Sequence, residues 1–348
     1  MNIRENVALA QLTTLVVGGP ARYFVEANSI EDVSQAIDFA RAKSVPLFVM
    51  AGGSNLLVAD AGFDGLIVKV GLRGMESKEK ESQVTFCVAA GEEWDAFVAQ
   101  TVEEQCAGIE CLSGIPGSVG ATPVQNVGAY GQEVSETIRE VTTLDTNTLQ
   151  CKTFSNTECE FSYRSSIFNT TARDRYVILS VTFALQRGGA PTLRYADVQR
   201  AFANARSKPS LSDVRNAVRD IRRNKAMLLV SGDEDCRSVG SFFKNPLIAS
   251  RQYEELRARL NTRGLDAPSY PAGDGMRKLS AAWLVEHAGL RKGYTRGAAA
   301  ISRKHALAII NRGGATAAEI IALKNEIQER VRAEFGIELQ PEPVLLGF

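Results

Sequence analysis

Residues 114–131 read Gly-Ile-Pro-Gly-Ser-Val-Gly-Ala-Thr-Pro-Val-Gln-Asn-Val-Gly-Ala-Tyr-Gly, and no regular element can run through them. Glycines at 114, 117, 120, 128 and 131, with Pro116 and Pro123 between them, break both the helical and the strand period. The stretch is hardly charged, so it does not read as a solvated linker. Two readings fit. In one, the backbone passes close to a flat or anionic ligand, for which glycine leaves room. In the other, the segment is a run of tight turns inside a β-rich domain. Either way, the chain must fold around a long, ordered, non-repetitive loop.

The rest of the composition narrows what such a loop can serve. With 348 residues the chain is long enough for two or three domains. Forty basic side chains balance forty acidic ones, so no net field favours nucleic acid or an acidic membrane face. Any anion must be met by a local cluster. The start, Met1 to Asn6, has no apolar run behind its charge, and no apolar stretch approaches the ~20 residues that span a bilayer. The expectation is a cytoplasmic protein with no membrane span and no nucleic-acid partner. None of the six cysteines forms a C-x-x-C pair, and only His287 and His305 could join them. Free, mostly buried thiols are expected rather than a zinc site.

Along the chain, Ala21–Ala27 reads as a strand and Ser29 as the N-cap of a helix with Val33, Ala36, Ile37 and Ala40 on one face. The apolar strand 46–50 runs into Ala51-Gly52-Gly53-Ser54-Asn55 and then Leu56-Leu57-Val58. Two glycines followed by two side-chain donors suit a phosphate, although a plain hairpin turn also fits. Neither a Walker loop nor a G-x-G-x-x-G fingerprint is present. A helix over 92–105 should turn Trp94, Phe97, Val98 and Val102 inward, and 84–89, 141–144 and 177–183 read as strands with a turn at 145–148. After a polar boundary at 206–210, a helix carries Val214, Ala217, Val218 and Ile221, with Arg222, Arg223 and Lys225 at its end, where cations suit the helix dipole. Residues 231–235 read as an exposed loop, and Gly240 to Pro246 as a segment half buried and half facing a ligand. Leu279–His287 reads as a helix and Ala306–Ile310 as a short strand. Thr316 and Glu319 form a capping box for a helix with Ile320, Leu323, Ile327 and Val331 as its core stripe.

Taken in order, these pieces resemble the UDP-N-acetylenolpyruvoylglucosamine reductases, flavoenzymes that make UDP-N-acetylmuramate for bacterial peptidoglycan. The resemblance covers nearly the whole chain. It rests on Leu12–Ala27, Ala51–Asn55, Gly114–Gly131, Tyr163-Arg164-Ser165-Ser166, Gly240–Pro246 and Pro341-Glu342. It implies an α+β fold: a vanillyl-alcohol-oxidase-type FAD-binding part in two subdomains plus a C-terminal α+β substrate-binding domain. The expected boundaries are 1–70, completed by the tail 337–348, then 71–208, then 209–336. It also implies non-covalent FAD reduced by NADPH, UDP-N-acetylglucosamine enolpyruvate as substrate, and a monomer.

By the same resemblance, the FAD contacts fall at Gly52, Gly53, Ser54 and Asn55, and at Gly114, Ile115, Pro116, Gly117, Gly120, Ala121, Thr122, Asn126, Gly128, Ala129 and Tyr130. No His or Cys lies in either loop to form a covalent flavin link. The family reaction places a hydride on the methylene carbon of an enol ether, and negative charge develops at the neighbouring carbon and its carboxylate. Arg164 occupies the family position of the group that clamps that carboxylate, a task suited to a guanidinium. Ser241 takes the position of the proton donor, helped by a relay through water or Lys244. Glu342 completes the set; beside a developing dianion its role makes sense only if it is protonated or hydrogen-bonds to the acid form. Substrate contacts carry over to Tyr195, Lys225, Asn245 and Tyr270. Having both Tyr195 and Tyr270 points to the longer subtype, with a tyrosine loop that closes. His305 reads as an exposed histidine. Two positions depart from the pattern: Lys225 is followed by Ala226-Met227-Leu228 where the family often has Leu-Pro, and Val344 stands where it often has Arg. Another flavin oxidoreductase on the same cofactor fold would share the glycine loops without Arg164, Ser241 and Glu342 in these contexts. A non-catalytic nucleotide-sugar binder would need no 114–131 loop.

Overall fold

The computed structural model describes all 348 residues. They group into two compact units, each discontinuous in sequence: Met1–Ala8, Pro20–Gly53 and Phe63–Asn224 in the first, and Leu9–Gly19, Ser54–Gly62 and Lys225–Phe348 in the second.

The first unit is built on two sheets. In the smaller, the strands run in the order Arg4–Ala8, Pro20–Ala27, Phe63–Val70, Leu47–Met50; the first pair is antiparallel and the other two pairs are parallel. The parallel pairing requires a crossover, supplied by the helix Ile30–Lys43. Its N-cap Ser29 accepts from the Asp32 N–H, and the residues it buries are the expected Val33, Ala36, Ile37 and Ala40. The larger sheet is antiparallel, in the order Cys151–Ser155, Ile138–Asp145, Tyr176–Arg187, Gln83–Ala89, Met75–Lys80. The helix Trp94–Glu103 buries the expected Trp94, Phe97, Val98 and Val102. Its aromatic rings meet Phe86 and Phe183 at centroid separations of 5.1 to 5.8 Å, and each buried ring contributes about 1.5–3 kcal/mol. Trp94 also donates its indole N–H to the Leu112 carbonyl at 3.0 Å, which ties this core to the segment just before Gly114.

The second unit has its core along the helix Ala317–Phe335, which buries Ile320, Leu323, Ile327 and Val331 as expected. The Thr316–Glu319 capping box is formed, and Gly336 ends the helix at φ +70°, a left-handed position that favours glycine. Asp60 adds a second cap, accepting from the N–H groups of Ala317 and Ala318 at 2.7 and 2.9 Å. The tail strand Val344–Leu346 pairs in parallel with Leu56–Val58. So 51–55 is not a hairpin turn: it joins a strand of the first unit's sheet to one paired with the chain terminus.

Several expectations need correction. The helix Leu211–Asn224 groups with the first unit, not with the residues that follow it, because it packs on the 110–112 segment and on the helix Trp94–Glu103. Arg222 lies in the last turn of that helix, as expected, and is buried in the packing. The tail 337–348 does meet the first seventy residues, but through Leu56–Val58, which belongs to the second unit. Residues 231–235 are only in part the exposed loop expected: Ser231 and Gly232 are exposed, but Asp233 caps a 3₁₀ turn over Glu234–Cys236, and Asp235 is only 1% exposed. It sits there because Arg303 donates to it through both its backbone N–H and its Nε. The expected helix over 279–287 begins only at Ala281, with Ser280 as its N-cap, and the strand expected at 306–310 is Ile309–Asn311. All six cysteines are free; four are buried, while Cys87 and Cys151 are exposed. Burial pushes the Cys159 thiol up to about 12, which makes it inert at neutral pH.

Candidate active site

In the first unit, the 114–131 stretch makes internal backbone contacts along its length. The loop runs beside the chain entering the helix Trp94–Glu103. Trp94 N–H donates to the Gly117 carbonyl at 3.1 Å, Val119 N–H to Glu92 at 2.9 Å, and Gly120 N–H to Ala90 at 2.9 Å. A Cβ on Gly120 would lie 2.6 Å from the Ala90 Cβ, so that glycine answers an internal packing need. Gly52 differs: a Cβ there would lie 2.8 Å from the Gly117 Cα. The two glycine stretches singled out in the sequence therefore touch backbone to backbone, at Gly52 and Gly117.

 The contact rules out any side chain at Gly52, and it brings the two stretches together within one unit.

At its far end the loop closes in a hairpin. Gly128–Ala129 pairs with Gln132–Glu133, and the turn between them holds Tyr130 at φ +49° and Gly131 at φ +85°. Positive φ at both central residues is the geometry of a two-residue hairpin turn, and Gly131 takes it without strain. Asn126 holds φ +44° and is buried. Its Nδ2 donates to Glu133 at 2.9 Å and to the Ser162 carbonyl at 3.1 Å, and its Oδ1 accepts from Ser135 N–H at 3.1 Å. Thr122 is turned into the loop, donating to the Val119 carbonyl, and Ile115, Pro116 and Ala121 are half-buried along it.

Arg164 lies on a tight turn closed by Ser162 and Ser165, whose backbones exchange hydrogen bonds of 3.0 and 3.1 Å. Its φ is +55°, a left-handed conformation that costs a residue with a Cβ roughly 1–2 kcal/mol. The guanidinium donates to the Gly128 carbonyl at 2.6 Å, and a Cβ on Gly128 would crowd it at 3.2 Å. The expected carboxylate clamp thus sits on a separate turn and braces the end of the 114–131 loop. Tyr195, 43% exposed, meets Tyr130 edge to face at 5.4 Å.

In the second unit, Ser241 and Glu342 are brought to neighbouring stretches by backbone pairing. Glu342 N–H donates to the Phe242 carbonyl at 2.9 Å, Lys244 N–H donates to Gln340 at 2.9 Å, and Phe243 pairs with Pro341. Phe242 and Phe243 are buried, while Ser241, Lys244 and Glu342 are half-buried. Asn55 joins the same group: its Nδ2 donates to the Glu342 carbonyl at 3.3 Å, and its own carbonyl accepts from Val344 N–H at 3.0 Å. Val344, the departure from the family pattern, is exposed. Ser54 accepts at its carbonyl from Thr14, and Gly53 before it is buried.

The remaining candidates are placed less decisively. Asn245 accepts from Ala281 N–H at 2.9 Å, so its Oδ1 serves the start of a helix. Tyr270, 58% exposed, sits on the strand Ser269–Pro271 beside the glycine-rich turn 272–275. His305 is half-buried, not exposed. Burial, with the positive charges of Lys225 and Lys292 nearby, pushes it down to about 4, so it is neutral at pH 7. Its Nδ1 lies 3.1 Å from Leu307 N–H and accepts from it.

A charged group that the sequence reading missed surrounds the loop's first residue. Asp95 accepts from Gly114 N–H at 2.6 Å and from both terminal nitrogens of Arg215, at 2.6 and 3.1 Å, and Arg219 also donates to it. Burial alone would push this carboxyl up. The bonds from Arg215 and Gly114, with the charges of Arg215 and Arg219, outweigh it and hold the carboxyl below its ordinary value. Arg222 donates from Nε to the Gly114 carbonyl at 3.0 Å. The signal was present: Arg215, Arg219 and Arg222 recur at i, i+4 and i+7, one face of a helix.

The Ser118 hydroxyl is buried with no hydrogen-bond partner in the protein. An unsatisfied buried hydroxyl costs about 1–3 kcal/mol, which a phosphate oxygen would relieve. The residues fit a dinucleotide carrying phosphates. Residues 21–150 match the FAD binding domain family, and residues 232–346 match the family described as UDP-N-acetylenolpyruvoylglucosamine reductase, C-terminal domain. The fold and the matched domains are those of an FAD-dependent oxidoreductase.

Full-length relatives narrow this further. The chain is 45% identical to the UDP-N-acetylenolpyruvoylglucosamine reductase of Thermobifida fusca, over 99% of this chain and 98% of that one. It is 44% identical to the protein of the same name from Streptomyces coelicolor, over 99% of this chain and 90% of that one. The crystal structure of the enzyme of that name from Thermus caldophilus shares the fold, with a TM-score of 0.68 at 24% identity, covering 99% of this chain and all of that one. The chain belongs to the UDP-N-acetylenolpyruvoylglucosamine reductase family.

Proposed function

We propose that this protein reduces UDP-N-acetylglucosamine enolpyruvate to UDP-N-acetylmuramate, a peptidoglycan precursor, with NADPH as the hydride source, and that it works as a cytoplasmic monomer. FAD, when bound, would supply the hydride carrier between the nicotinamide and the methylene carbon of the enol ether. The chain's own residues do the rest. Arg164 holds the substrate carboxylate through two N–H donors and favours the extra negative charge that develops there. Its guanidinium is pre-set by the bond to the Gly128 carbonyl. Glu342 is assigned to the same reacting centre. Ser241 gives its hydroxyl proton to the carbon next to the carboxylate and is recharged through water or Lys244. Tyr195, Lys225, Asn245 and Tyr270 are assigned to the nucleotide-sugar part, with Tyr270 on a loop that closes over it.

The observation that best supports this reading is the backbone pairing of the Ser241 stretch with the Glu342 stretch, which puts a hydroxyl and a carboxyl on adjacent, half-buried segments. The test is direct. Purified holoprotein is mixed with NADPH and UDP-N-acetylglucosamine enolpyruvate, and nicotinamide oxidation is followed alongside formation of the lactyl product. Oxidation of NADPH without that product would sink the substrate assignment. A protein that binds no FAD would sink the whole reading.

A further inference from the structure

We propose that Asp95 is a positioning residue for the cofactor: with Arg215 and Arg219 it locks the Gly114 peptide, and so sets the entry of the 114–131 loop against which FAD binds. The inference rests on the FAD reading above and adds a residue set outside every contact assigned there.

The geometry singles out one peptide unit. Gly114 has φ +72°, the left-handed region, and lies where the chain leaves the buried Leu112–Ser113 stretch. Its N–H is held by Asp95 at 2.6 Å and its carbonyl by Arg222 at 3.0 Å. Both groups come from helices, Trp94–Glu103 and Leu211–Asn224, and helices hold side chains more precisely than loops do.

A carboxylate is the one side chain that fits between these donors. Its Oδ1 accepts from Gly114 N–H and from Arg215 Nη1, and its Oδ2 from Arg215 Nη2 and Arg219. An amide of the same shape would turn an NH₂ group against a guanidinium or against Gly114 N–H. Asp95 lies in the first turn of its helix, yet its acceptors are spent on the loop and the arginines rather than on a helix cap. One carboxylate against Arg215, Arg219 and Arg222 leaves an excess of positive charge at the loop entry, suited to a ligand that carries phosphates. In a chain with no net charge, such an excess has to be local.

The experiment compares Asp95→Asn with two other variants in the full chain. Arg219→Gln removes one donor and leaves the two-bond Arg215 pair. Asp213→Asn weakens the start of the same helix, where Asp213 accepts from Ser210 N–H at 2.8 Å, without touching Asp95. Each is measured for thermal midpoint as apoprotein, FAD dissociation constant, flavin absorbance and reduction potential, and hydrogen exchange over residues 112–118. Asp95→Asn should weaken FAD binding at least tenfold, shift the flavin spectrum and speed exchange at Gly114. Arg219→Gln should do the same to a smaller extent. Asp213→Asn should lower the thermal midpoint with FAD affinity unchanged within twofold.

Asp95→Glu should recover part of the affinity. If Asp95→Asn fails to fold, Arg219→Gln and Asp95→Glu carry the test. The proposal is overturned if either Asp95→Asn or Arg219→Gln lowers stability while FAD affinity and spectrum stay as in the wild type. It is equally overturned if Asp213→Asn weakens FAD to the same degree for the same loss of stability. A wild-type protein that does not bind FAD would instead refute the underlying cofactor reading.

Discussion

The 114–131 loop and the 240–245 stretch both carry residues assigned to the site, yet they are held in shape by opposite means. The loop of the first unit is fixed by what its glycines permit: a backbone contact at Gly52–Gly117, a close approach at Gly120–Ala90, and a charged lock at Gly114. The stretch of the second unit is fixed by main-chain pairing with the tail and by two buried phenylalanines. Where the backbone ladder sets the shape, an outward side chain can change without moving its neighbours. Where the absence of a Cβ sets it, any substitution moves the backbone.

The contrast is broken or sharpened by substitution. The largest effect is expected from Ser241→Ala. It should leave the thermal midpoint and flavin reduction by NADPH nearly unchanged while abolishing reduction of the enol ether; stopped-flow traces of the two half-reactions separate these. If both half-reactions fell together, the second stretch would be as shape-dependent as the first. Arg164→Gln should slow the enol-ether step by roughly a hundredfold or more, about 3 kcal/mol of barrier. Because Arg164 also braces the Gly128 carbonyl, some stability should go with it, and melting curves read that loss.

Gly52→Ala should cost about 1–3 kcal/mol through the forced contact with Gly117 and should weaken FAD binding. Flavin titration together with melting checks both. An unchanged protein would remove the Gly52–Gly117 approach as the basis of the contrast. A smaller effect concerns His305, whose folded-state value of about 4 lies below its ordinary 6.5. Its depressed value contributes stability above about pH 6.5 that is lost as pH falls toward 4. His305→Gln should flatten the stability–pH curve in that window, as measured by denaturant midpoints at each pH. Val344→Arg, which restores the more frequent family residue at an exposed position, should change turnover least, and steady-state rates suffice to test it.

Much of both regions was legible beforehand, for a local reason. The stripe Val33, Ala36, Ile37, Ala40, the inward set Trp94, Phe97, Val98, Val102 and the Thr316–Glu319 capping box all follow from spacing along one element, and each is buried or formed as expected. The glycine loops were legible as breaks in every period. The partners of those loops were not. Asp95 and Gly114 are 19 positions apart and Arg222 and Gly114 are 108 apart, and no periodicity links them. Arg222 read as a helix-end cation because its local setting says so; its burial is decided by what packs over it.

The sequence by itself determined which faces are apolar, several helix caps, and where the backbone needs glycine, because each depends on residues a few positions apart and on the intrinsic preferences of the chain. Only the tertiary structure decided that the segment after Asn55 pairs with the chain terminus, that the helix Leu211–Asn224 groups with the first unit, and that one carboxylate holds the start of the loop. Those choices depend on hydrogen bonds and charges meeting across long stretches of chain. Their strength comes from being buried together, and that is a property of the folded state alone.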